Sequence, residues 1–196
     1  MRWRARRFDG PSPEHSTMKY FPQRLWLGFN NRRPSRRDAA FKEWEKNFRV
    51  YKRSLRGILP KLSPSARKFF AAALLLHDGT LRRVETGDQI NDLTARQRRS
   101  NWHRRAARVR LHVLSADEKY LYLLDYRLIR GIVLDFPGPI SLFPAGAHPN
   151  FGDWGYDELS LKRKSVLQHE ILFSSGAAIS IEFEKVSVRR RRLETR

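Results

Sequence analysis

The sequence predicts an α+β fold, an N-terminal helical hairpin packed against an antiparallel β-meander of about six strands. Three observations carry this. Apolar side chains between Phe41 and Ile58 recur every three or four residues, the period of one helix face. After Gly79 the period drops to two, most sharply where Ile179, Ile181 and Phe183 alternate with Ser180, Glu182 and Glu184, as in a strand with one buried side. Short turns such as "ADE" at 116–118 and "SSGA" at 174–177 join the strand-like runs, so helices and strands fall in separate blocks.

The clearest helix is "SRRDAAFKEWEKNFRVYKRSLRGIL". Phe41, Trp44, Phe48, Tyr51, Leu55 and Ile58 form its stripe, and its charged residues fall on the other faces. Ser35 is the expected N-cap, with Asp38 three residues on, and Pro60 ends the helix. In "SPSARKFFAAALLLHDG", Ser63 caps a second helix, Pro64 suits its first turn and Gly79 its stop. The link between the two is short, which predicts a hairpin. "TLRRVET", "RVRLHVLS", "KYLYLLDYRLIRGIVLDF", "YDELSL", "VLQHEILF" and "AAISIEFEKVSV" read as strands. The third is too long for one strand and is expected to break near Asp125 to Arg127. Gly176 is placed for the positive φ of a hairpin turn. The stretch from Gly87 to Ala107 has no clean period and reads as a loop or a short basic helix, and 137–139 and 144–150 read as loops.

This organisation is one domain over residues 18–188, helical from 18 to 79 and β from 80 to 188. Residues 1–17 read as a disordered extension, since "MKYFPQRLW" from Met18 resembles an ordinary start, and 189–196 as a basic disordered tail. A chain of 196 residues with 40% hydrophobic content, 5 Trp and 12 Phe can bury a real core. The longest apolar run, "FFAAALLL", is far below the roughly 20 residues of a membrane helix. The N-terminus lacks the apolar stretch of a secretory signal. No membrane span and a cytoplasmic location are therefore expected.

Net charge is +20, which favours acidic partners. The charge is uneven: residues 1–110 carry a net +19, residues 111–188 a net −3 and the last eight a net +4. The densest basic stretch is "RQRRSNWHRRAARVR" at 96–110, with 7 Arg and no acid. Guanidinium forks grip phosphates and an aromatic ring can stack on an unpaired base. Arg96, Arg98, Arg99, Trp102, Arg104, Arg105 and Arg108 are the nucleic-acid-binding candidates, weighed against a solvated loop in an Arg-biased chain. No zinc-finger spacing and no RNP-type aromatic motif occurs.

Catalytic patterns are scarce. There is no Cys, no nucleophile elbow, no phosphate-binding Gly-Lys-Ser loop and no dinucleotide fingerprint. No cofactor is expected. His77-Asp78 is a weak metal candidate of the kind seen in metal-dependent hydrolases, and reads first as a helix end followed by a turn. His169 alternates with Leu167 and Ile171 and is expected to point inward. The acidic-aromatic stretch "NFGDWGYDEL" at 150–159 reads as a corner. Its glycines permit a turn, its aromatics anchor it and its carboxylates stay solvated. Asp157 and Glu158 would point to opposite faces of a strand. Asp153, Trp154 and Tyr156 are the candidates for a partner-binding surface, because aromatics dominate contact hot spots.

"MKYFPQRLW", "W…NFRVYKRSL", "LP…ARKFFAAALLLHDG" and "DELSL…HEILFSSGAAISIEFEKVSV" together resemble a family of small bacterial proteins, a domain of unknown function, over most of residues 18–188. The resemblance implies a bacterial cytosolic protein and supplies no activity and no catalytic residues. Three functions remain open. The first is a non-enzymatic protein-interaction domain of the immunity or adaptor kind, with an unknown protein partner. The second is nucleic-acid binding through 96–110. The third is a metal-dependent hydrolase using His77 and Asp78.

Overall fold

A computed structural model describes residues 18–88, 107–136 and 151–194. Helix α1 (Gln23–Phe29) is followed by α2 (Pro34–Ile58), a 3-10 turn at Leu59–Lys61 and α3 (Pro64–Ala71). The α+β class and the antiparallel pairing hold. Among the described residues there are eight strands in two four-stranded sheets. Sheet A has the order β1 (Thr80–Asp88), β2 (Ala107–Leu114), β3 (Tyr120–Arg127), β8 (Lys185–Arg192). Sheet B has the order β4 (Gly131–Asp135), β7 (Ala178–Phe183), β6 (Leu167–Phe173), β5 (Trp154–Leu161).

Two strand pairs cross from one sheet to the other. Leu128–Arg130 separate β3 from β4, and Glu184 alone separates β7 from β8. Leu128 takes φ 55 at its bend, a conformation tolerated where tertiary packing fixes it. The long run expected to break at Asp125–Arg127 therefore breaks three residues later, and "AAISIEFEKVSV" is two strands. At the other edges Thr80 bridges Asp153. Trp154 N–H donates to Gly79 O at 2.7 Å and Asp78 N–H to Trp154 O at 2.8 Å. The ladder thus returns on itself through six positions: β1, β2, β3/β4, β8/β7, β6 and β5. The Thr80–Asp153 contact joins β1 to β5 and leaves β8 of sheet A and β4 of sheet B as edge strands among the described residues. Trp154, Tyr126, Phe173, Phe183, Leu111 and Ile171 fill the interior.

The helical layer departs from expectation in three ways. A first helix, α1, is too short to show a period, and it runs antiparallel to α2, with Gly28 against Ala40 and Phe21 against Trp44 and Phe48. The hairpin is therefore α1–α2, while α3 lies on β8. Arg33, not Ser35, is the N-cap of α2, because Pro34 occupies the first turn, where its missing N–H costs nothing. Ser63 does cap α3, accepting from Ala66 N–H at 3.4 Å. That helix stops at Ala71 rather than near Gly79. Ala73 and Leu74 take φ 35 and 62, and this turn sends Leu76 into the core.

Residues 189–192, read as tail, extend β8. Each pairs with β3, from Leu123↔Arg189 to Tyr120↔Arg192. Backbone pairing is indifferent to side-chain charge when the side chains reach water, and all four arginines are exposed. The expected extension at 1–17 lies outside the described residues.

Candidate nucleic-acid interface

Strand alternation divides sheet A into an apolar inner face and a charged outer one. Val109, Leu111, Val113, Tyr122, Leu124, Tyr126, Val186 and Val188 point inward and are buried. The outward positions of β1 hold Arg83 and Glu85, and those of β2 hold Arg108, Arg110 and His112. On β3 they hold Leu121, Leu123, Asp125 and Arg127. On β8 they hold Lys185, Ser187, Arg189 and Arg191. Seven Arg and Lys side chains therefore share the face with His112 and two carboxylates among the described residues.

The carboxylates organise part of that charge. Asp125 is 1% exposed and accepts a two-armed contact from Arg108, 2.5 Å from Nε and 2.6 Å from Nη2. Arg127 adds Nη2 at 2.9 Å. Burial alone would lift the Asp125 carboxyl, but the arginine hydrogen bonds outweigh it and hold the group below its usual range. Glu85 lies 3.0 Å from Arg83, 3.3 Å from Arg110 and 3.4 Å from His112. Arg110 Nε and His112 Nε2 are shielded from solvent yet make no hydrogen bond. Their nearest carboxylate oxygens, at 3.8 and 3.4 Å, supply attraction only. Arg83 keeps 69% of its side chain exposed and Arg127 keeps 42%. Lys185, Arg189 and Arg191 are exposed on the edge strand.

Of the sequence candidates, Arg96, Arg98, Arg99, Trp102, Arg104 and Arg105 lie outside the described residues. They belong to the connection between β1 and β2, whose last pair is Asp88↔Ala107. Arg108 is described, and it is spent on Asp125 with only 15% of its side chain exposed. It braces the face more than it offers a grip.

The corner keeps its turn and its anchoring aromatics, while the partner surface and the solvated carboxylates at 157 and 158 are corrected. Trp154 is fully buried inside the ring, and Tyr156 is buried against the helices, its ring 5.5 Å from Phe21. Neither side chain can be a partner's hot spot in the folded chain, and only Asp153 of the three candidates is exposed. Gly152, at φ 71, makes the turn. The ladder shifts register between Trp154 and Tyr156, so this bulge brings Trp154 and Asp157 to one side. The helical segment covers Glu158 on the outer side of β5 and Asp157 turns inward, so these two carboxylates expected in solvent are both buried.

Asp157 faces inward. Its Oδ1 accepts from Trp154 Nε1–H at 3.1 Å and its Oδ2 lies 3.1 Å from His169 Nε2. Tyr126 Oη is 2.7 Å from His169 Nδ1. A ring proton on Nε2 satisfies every group: the imidazole donates to the carboxylate and accepts from the phenol. Burial, then the Asp157 charge, pushes the Tyr126 phenol well up, so it keeps its proton. Glu158 faces the helices and accepts three amides, Lys19 N–H at 2.9 Å and Tyr20 and Phe21 N–H at 2.5 Å each. Burial pushes its carboxyl up to about 7 even against those three donors.

His77 and Asp78 are both exposed, with Nδ1 3.0 Å from Oδ1. Among the described residues no group of three or more His, Asp or Glu is placed to hold a metal ion. No described helix is long and apolar enough to cross a membrane. Comparisons with protein-family models, curated proteins and solved structures find no match, so the resemblance to a bacterial family rests on its residues alone.

Sequence reading missed the grouping of Arg83, Arg127, Lys185, Arg189 and Arg191. Reading outward positions strand by strand would have found it, but only with the register in hand.

Proposed function

We propose that the protein binds nucleic acid by its phosphate backbone, through the outer face of sheet A. The supporting observation is the grouping of Arg83, Arg127, Lys185, Arg189 and Arg191 on the solvent side of one face, over an apolar inner face that fixes their directions. Arginine forks suit phosphate oxygens, and such contacts release counterions. Fluorescence anisotropy with a labelled oligonucleotide tests the reading. Affinity should fall steeply with salt, and the double substitution Arg189→Ala, Arg191→Ala should reduce the log–log salt slope by about two. No binding at ~50 mM salt, where attraction is strongest, would sink it.

A second reading keeps a protein partner, of the adaptor or immunity kind. Ile132, Val133 and Leu134 of β4 are all exposed, and among the described strands only β7 pairs with β4. Edge strands with apolar side chains accept a further strand. Val133→Lys should abolish co-purification of a stoichiometric protein partner; a partner retained in full would exclude this edge as its contact.

A further inference from the structure

Helix α2 carries a row of positive charge that the face of sheet A does not include. Lys42, Lys46, Arg49, Arg53 and Arg56 follow one another at steps of four and three residues, and all five are exposed. At 3.6 residues per turn and 1.5 Å per residue they fall within an arc of about 80°, along about 21 Å of helix. Tyr51 lies on the opposite side of α2 from this row, where it is buried and its Oη accepts from Leu159 N–H at 2.9 Å. The row therefore points away from β5 and into solvent.

Among the described residues no carboxylate forms a salt bridge with any of the five. Glu43 is held by Arg24, and Asp38 and Glu45 border the row without pairing to it. Like charges three and four residues apart destabilise a helix, and a solvated helix face ordinarily mixes signs. A row of one sign keeps a repulsion that the chain leaves in place and a polyanion relieves. The exposed apolar residues of α2, Phe41 and Val50, lie on either flank of the row and on opposite sides of the helix. They offer no common apolar face to a lipid surface or a partner helix, whereas a straight line of cations fits a linear chain of phosphates. The C-terminal end of the row also leads to the sheet A site. Just past Leu59–Lys61, Ser63 Oγ donates to Val186 O at 2.8 Å and Val188 N–H donates to Ser65 Oγ at 3.2 Å. This ties the end of α2 to edge strand β8, which carries Lys185, Arg189 and Arg191, and Lys61 between them is exposed. We propose that the α2 row is a second phosphate-backbone contact, and that one nucleic-acid molecule runs from the face of sheet A past the β8 edge and along α2. The proposal takes its ligand from the nucleic-acid reading above.

Anisotropy with a labelled oligonucleotide of ~30 nucleotides, about 100 Å of backbone, tests this. The triple substitution Lys46→Ala, Arg49→Ala, Arg53→Ala should lower the log–log salt slope by about two to three. Combined with Arg189→Ala, Arg191→Ala it should lower the slope by the sum of the two effects, with one oligonucleotide bound per protein. Alanine favours helix at these exposed positions, and far-UV circular dichroism checks that each variant folds. An unchanged slope in the triple variant overturns the inference while the sheet A reading stands. Two oligonucleotides bound per protein overturn the shared path. A loss in the triple variant with none in the Arg189, Arg191 variant removes the sheet A reading and the path with it. Anionic lipid vesicles or poly-glutamate bound through the row, with no binding of the oligonucleotide, overturn both.

Discussion

The outer face of sheet A and strand β5 each bury carboxylates in mid-strand, and they treat them in opposite ways. Asp125 is surrounded by guanidinium groups that keep one side in water. Asp157 and Glu158 meet an indole, an imidazole and backbone amides, with no guanidinium or ammonium group among these donors. Positive charge is left over around Asp125, whereas every partner around Asp157 is committed. Asp125 is held below its usual range and Glu158 is pushed to about 7. A surplus of solvent-facing charge is what a polyanion can use; a closed set of dipoles in the core serves folding. That difference directs the functional reading to sheet A and away from the acidic corner.

The comparison breaks or sharpens first at Asp157. Asp157→Ala leaves the Trp154 and His169 N–H groups buried without an acceptor, each costing on the order of 1–3 kcal/mol, so a loss of about 3 kcal/mol is expected in chemical denaturation. A loss under about 1 kcal/mol would mean that water reaches the site, and the contrast with Asp125 would fail. The next effect is a pH dependence set by Glu158. Its folded value of about 7 lies above the ordinary 4.5, so the folded chain holds the proton more tightly than the unfolded one. This contribution to stability is full below about 4.5 and is lost as pH rises toward about 7, with a change on the order of 1–3 kcal/mol. Glu170, paired opposite on β6, and the three amides of 19–21 face the same carboxyl. Glu158→Gln should flatten that decline in thermal melts across pH; an unchanged profile would assign it elsewhere. The smallest effect is Asp125→Ala, about 1 kcal/mol near neutral pH, because Arg108 and Arg127 can turn to water. Asp125 stabilises the fold above its unfolded range and loses that contribution as pH falls through its lowered value, so the variant should lose the acid limb of the native curve.

Much of the fold is legible from the sequence for local reasons. The stripe from Phe41 to Ile58 gives α2, Ser63 and Pro64 give the start of α3, and alternation gives β7 and the inward His169. The candidate site is barely legible. Arg108 is in the predicted stretch, yet its partner Asp125 lies 17 residues away on another strand. Lys185, Arg189 and Arg191 lie further still along the chain, and the tail reading hid two of them.

Composition and periodicity by themselves determined the class of the fold, the helix and strand types, and the concentration of positive charge, because propensity, capping and side-chain period act over a few residues. Tertiary structure alone decided which cations share a face, that β5 is covered on both sides, and that Trp154 and Tyr156 face the core. Those outcomes depend on register, on the bulge after Trp154 and on ring closure at Thr80↔Asp153. They are contacts between distant segments, and a shift of one residue in any ladder would turn the same side chains to the other face.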